Sequence, residues 1–113
     1  MTSEAAQPFD SISLDQDSEA CVLTIVVYQI WDQQQRLLLQ DRINVCLQMV
    51  ESGELSIAHP GSGGREVIID LRTIYEPDAA TLAFLMQAQA ILDDAGHFLR
   101  FGPLGSSYVP ADH

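Results

Sequence analysis

Apolar positions along the chain fall in clusters whose spacing changes from one cluster to the next. Between residues 21 and 31, Val22, Leu23, Ile25, Val26, Val27, Tyr28 and Ile30 crowd together. β-Branched and aromatic side chains in such density predict a strand with at least one buried face. Over residues 33 to 52 the period lengthens. Leu39, Ile43, Cys46, Leu47 and Val50 recur at helical spacing, and Gln40, Asp41, Asn44, Gln48 and Glu51 fall largely off that stripe. Asp32 stands where an N-cap belongs and Gly53 where a left-handed stop does. Val67-Ile68-Ile69-Asp70-Leu71 is a second strand, apolar enough to be central and covered on both faces. A loop over 72 to 77 leads to Asp78, a second N-cap.

Residues 79 to 95 are rich in Ala, Leu, Met and Gln, all good helix formers. Leu82, Leu85, Met86, Gln89 and Leu92 mark one side of that helix, with Phe84, Ala88, Ile91 and Ala95 widening the apolar arc. Gly96 ends it, and Phe98, Leu99 and Phe101 form a third short strand that Gly102-Pro103 breaks. Near the start, Ile12 and Leu14 alternate with Ser11 and Ser13, which allows a short edge strand. The surrounding residues 1 to 19 are polar and acidic and read as a flexible arm. Strands alternating with amphipathic helices predict an α/β domain over residues 20 to 104, a small mixed sheet with helices packed on it. Residues 105 to 113 are a tail, and no internal repeat is present.

Composition narrows the chemistry. The 113 residues carry a net charge of −11, from sixteen Asp and Glu against five Arg, with no Lys. Arg36, Arg42, Arg65, Arg72 and Arg100 are scattered along the chain, so a phosphate-binding surface for nucleic acid is not expected. An acidic surface keeps the chain soluble and suits a basic protein partner. The apolar runs are far shorter than the ~20 residues of a membrane span, and the first twenty residues lack the features of a signal peptide. The expectation is a soluble cytoplasmic protein with no membrane insertion.

Cys21 and Cys46 each sit in an apolar run and read as small buried hydrophobes. His-Pro-Gly-Ser-Gly-Gly at 59 to 64 has no following Lys-Ser/Thr pair, no helix pattern after it and no phosphate-binding character. It reads as a plain loop with His59 exposed, and it alone would support a nucleotide binder. His59, His97 and His113 do not show metal-ligand spacing. No nucleophile, base and orienting carboxylate line up, so no catalysis, cofactor or metal is expected.

One stretch goes further. Val67-Ile68-Ile69-Asp70-Leu71, then Asp78-Ala79-Ala80-Thr81-Leu82, then Leu85, Ala88 to Gly96, Phe98 to Phe101 and Gly102-Pro103 follow one another as in the STAS family, the anti-sigma-factor-antagonist domain. The chain resembles that family over residues 65 to 104. The resemblance implies a regulatory module that docks a protein partner, of the anti-sigma or kinase type, at the turn and helix start. The residues it assigns to docking are Tyr75, Glu76, Pro77, Asp78, Ala79, Thr81 and Leu82.

The chain departs from the family pattern in four places. The phosphorylated Ser falls at Ala79, the Gly at Thr81, the loop at 53 to 66 is long, and the helix that typical members add after the third strand has no counterpart. Without a hydroxyl at 79, the switch that a phosphate charge of about −2 would work moves at best to Thr81 or to Thr73. Asp78 reads as a cap or as part of the docking surface, and Asp70 as a strand-end residue bonded to loop amides or as a neighbour of that surface. A second expectation follows from the missing helix, whose absence would leave apolar surface bare. On it, the chain is an accessory subunit of a larger assembly or transporter, or a homodimer.

Overall fold

A computed structural model describes residues 9–15, 19–59 and 66–110. The elements run β1 (Ser11–Leu14), β2 (Cys21–Val27), α1 (Gln33–Ser52), α2 (Glu54–Ala58), β3 (Val67–Thr73), α3 (Ala79–Asp94) and β4 (Phe98–Pro103). The four strands form one mixed sheet in the order β1-β2-β3-β4. β1 pairs antiparallel with β2, while β2–β3 and β3–β4 are parallel. The fold class is α/β with a mixed sheet, as the sequence predicts.

The two main helices begin and end where their capping residues stand. Asp32 accepts from the Gln35 amide at 2.8 Å, and Asp78 from the Thr81 amide at 2.9 Å. Gly53 takes φ 83° after α1, and Gly96 takes φ 85° after α3. There the His97 and Gly96 amides donate back to Leu92 and Asp93 carbonyls, closing the last turn.

Register and alternation set which face is covered. Cys21, Leu23, Ile25 and Val27 stand opposite Val67, Ile69, Leu71 and Thr73, and Ile69 and Leu71 stand opposite Leu99 and Phe101. From the strands, the core takes this set, and it adds Leu39, Ile43, Cys46 and Met49 of α1, Leu55 of α2, and Leu85, Ala88 and Leu92 of α3. The two parallel crossovers step the same way across the sheet, so a common hand puts α1 and α3 on the same face.

The expectation that β3 is covered on both faces is corrected. It is central, but on its second face lie Ile68, Asp70 and Arg72, and no helix of the described residues packs there. Inside the segment expected as an arm, β1 forms at Ser11–Leu14 and Phe9 is buried in the core. Residues 1–8, 16–18, 60–65 and 111–113 lie outside the described residues, and with them most of the expected Gly-rich loop. His59 is corrected from an exposed loop position. It follows the short helix α2, which the sequence pattern did not reveal, and is half-buried with its ring 6.1 Å from that of Phe9.

Both cysteines are buried. Burial pushes the Cys46 thiol up to about 12, against a smaller pull from Arg42. A thiolate is the reactive species, so the native protein should not label with a thiol-reactive disulfide reagent, whereas both thiols should label once the chain is unfolded in guanidinium. Rapid labelling of the folded protein would contradict this packing.

Candidate protein-docking face

The turn after β3 is held from several sides. The Tyr75 carbonyl accepts from Trp31 Nε1 at 3.2 Å and from Thr73 Oγ1 at 3.0 Å. The Ile74 carbonyl accepts from the Val109 amide at 2.7 Å, and Tyr75 bridges to Val109. Trp31 and Pro77 are buried. The turn is therefore a fixed platform on which α3 starts.

The starts of α1 and α3 lie side by side, joined by Arg36. Its Nη1 donates to Thr81 Oγ1 at 3.3 Å and lies 3.7 Å from Asp78 Oδ1. The Thr81 hydroxyl and amide, with Arg36 beyond them, hold the Asp78 carboxyl below its ordinary range. Asp78 itself stays half exposed.

The residues assigned to docking divide. Glu76, Asp78, Ala79 and Leu82 face solvent, Tyr75 is half-buried against the core, and Pro77 and Thr81 are turned inward. Thr81 as a phosphoacceptor is corrected. Its side chain is fully buried and its oxygen is engaged by Arg36, so a kinase would have to open the helix start to reach it. Thr73 is buried as well. Asp70 is also corrected: it lies mid-strand on the sheet's second face, bonded to arginines and not to loop amides.

The phase of α3 differs from the expected stripe. Thr81, Leu85, Ala88 and Leu92 are buried, while Leu82, Met86 and Ile91 are 39%, 67% and 62% exposed. With Ala79, Ala80, Ala83 and Ala90 also exposed, the outward face is as apolar as the inward one. No charged residue occurs from Ala79 to Leu92. Charges return only at the ends, at Asp78 and at the exposed Asp93 and Asp94. A helix apolar all round belongs inside something, and α3 of the isolated chain has one side in water. Helix α1 also exposes Leu37, Leu38 and Val45, but its outer side mixes them with Asp41, Glu51 and many amides.

The chain belongs to a family of unknown function, DUF6572, whose model matches residues 1–104. No curated protein and no solved structure matches it. The DUF6572 match spans β1 to β4, so the pinned turn and α3 lie inside the family's own domain. Among the described residues, no three His, Cys, Asp or Glu gather as a metal site would require. No helix among them is long and apolar enough to cross a membrane. The outward side of α3 was missed from sequence because a pattern apolar in every direction does not reveal which side turns in. The absence of charge over fourteen positions was the available signal.

Replacing Asp78 by Ala should cost about 1 kcal/mol through loss of the cap. Because folding lowers the Asp78 pKa, its contribution is present above the ordinary carboxylate pKa and fades as pH falls through the folded value. The difference in urea midpoint between Asp78→Ala and the natural chain should thus hold near pH 7 and narrow below about pH 4. A difference that is absent at pH 7, or that widens in acid, would contradict this cap geometry.

Proposed function

We propose that this DUF6572 protein is a non-catalytic regulatory module of the cytoplasm that docks a protein partner on the outward side of α3 and the turn before it. The observation that carries this is the uncharged exposed face holding Leu82, Met86 and Ile91. Exposed apolar surface free of charge marks interaction sites when it is large enough. The resemblance to STAS regulators supports the same location, since their docking residues align with the turn and helix start. With Ala79 and a buried Thr81 at the helix start, binding would not be switched there by phosphate, and the interaction would be constitutive or controlled through the partner.

The bound partner is of the anti-sigma or kinase type, or a subunit of a larger assembly. Its matching surface is apolar with basic groups outside it, because Asp78 and the Asp93–Asp94 pair bracket the strip. At ~1.5 Å per residue those acids stand about 22 Å apart. The same apolar face also favours a second reading, a homodimer of α3 against α3, although a net charge of −11 per chain opposes it.

Affinity capture from the native host with three baits separates these outcomes. The natural chain and Glu51→Gln, altered on α1, should retain the same protein, and Met86→Glu should lose it by at least tenfold. Sedimentation over a hundredfold concentration range should give a monomer. Retention unaffected by Met86→Glu would remove the docking face, and a dimer abolished by Met86→Glu would replace the partner with a second copy.

A further inference from the structure

The second face of the sheet carries a feature that docking on α3 does not use. Side-chain alternation puts Asp70 and Arg72 on that face, and register sets Arg100 directly across from Asp70. The Nε atoms of both arginines close on one oxygen, Asp70 Oδ1, at 3.0 Å from Arg72 and 3.3 Å from Arg100. The hydrogen bond of the set runs from Arg72 Nε to Oδ2 at 3.1 Å, while Oδ1 itself accepts none among the described residues. The carboxylate is buried beneath them, with its side chain 9% exposed, whereas those of Arg72 and Arg100 are 35% and 50% exposed.

Gly102 makes this arrangement fit. It stands opposite Arg72 in register, and a Cβ there would lie 3.1 Å from Arg72 Nη1. Without that atom, Nη1 lies flat over β4 and donates to the Pro103 carbonyl at 3.4 Å.

Charge and geometry then point the same way. One arginine suffices to neutralise Asp70, and the second leaves the triad with a surplus positive charge in a chain of −11. Arg72 is anchored by its Nε–Oδ2 hydrogen bond and by Nη1 on the Pro103 carbonyl, whereas Arg100 is held to Asp70 by charge alone. Among the described residues, Arg72 Nη2 and both Nη atoms of Arg100 donate to nothing. A buried ion pair is weak evidence for stability, since apolar residues of similar volume often serve as well. Guanidinium forks with free outer edges are instead suited to recognising a carboxylate. Among the described residues no helix covers the site, and half-buried Ile68 and the 46%-exposed Phe98 stand one row along. A flat, apolar-edged surface of this form suits a polypeptide laid across it better than an enclosed small molecule.

We propose that Arg72 and Arg100 clamp an Asp or Glu side chain of a partner polypeptide on the open sheet face, with Asp70 as the positioning residue. This stands independently of docking on α3.

The test uses the full chain, with arginine Nε–Hε signals followed by NMR at 0.15 M salt, where repulsion from distant acids is screened beyond about 8 Å. A capped Glu-Leu-Glu tripeptide, sodium acetate and sodium chloride are titrated at matched ionic strength. The tripeptide should move the Arg72 and Arg100 signals saturably, with half-saturation at least fivefold below that of acetate. Arg100→Gln should abolish the effect, and Arg100→Lys, which keeps the charge but loses the fork, should weaken it at least threefold. If Arg100→Gln fails to fold, Arg100→Lys carries the test. Shifts no larger than those from chloride, or saturation by acetate with none by the tripeptide, would overturn the proposal.

Discussion

Everything else in the molecule hangs on β3 being paired in parallel on both of its edges. That double register sets Leu23, Ile69 and Leu99 in one row beneath the helices. By the same stroke it sets Thr24, Asp70 and Arg100 in one row on the opposite side. A one-residue slip would exchange the two faces. It would carry Asp70 into the core and Leu71 out of it, at a cost no local contact would recover. The turn that launches α3 hangs from the last residues of the same strand, through Thr73 and the Tyr75 carbonyl. The platform, the helix phase and the arginine pair are therefore consequences of one pairing.

Two surfaces with different chemistry result. The helix layer presents α3, whose uncharged outer side is bracketed by acids. The sheet layer presents a charged triad set among apolar neighbours. In a chain with five arginines, those described divide their work clearly. Arg36 ties the two helix starts together, and Arg42 bonds Asp10 beside the edge of β2. Arg72 and Arg100 share Asp70. The acid excess is left to the surface, where Asp78, Asp93 and Asp94 stand exposed at the ends of α3.

How much of this was legible in sequence depended on whether the signal was local. The bounds of α1 and α3 follow from Asp32, Gly53, Asp78 and Gly96, because capping acts over three or four residues and leaves a mark in the chain. The strand at 67 to 71 was legible for the same reason, although its length was underestimated. Gly102 and Pro103 continue β4, and Arg72 and Thr73 continue β3. The phase of α3 was not legible, since Leu82 and Leu85 are equally apolar and what turns Leu85 in is long-range: its packing in the core and the contact of Thr81 with Arg36, 45 residues away. The arginine pair was likewise hidden. Arg72 and Arg100 look scattered until parallel register brings them to one carboxylate. The STAS-like order of motifs pointed to the turn before α3, but it could not tell that Pro77 and Thr81 point inward.

The central claim is that the outer side of α3 is covered by another protein in the cell. It is tested most directly by placing a photo-crosslinking amino acid at position 86 and, in a parallel strain, at position 51 on the exposed side of α1. Irradiation of living cells should give one discrete adduct from position 86, larger than the 12.4 kDa chain by more than the mass of a second copy, and none from position 51. No adduct from position 86, or the same adducts from both positions, would contradict it.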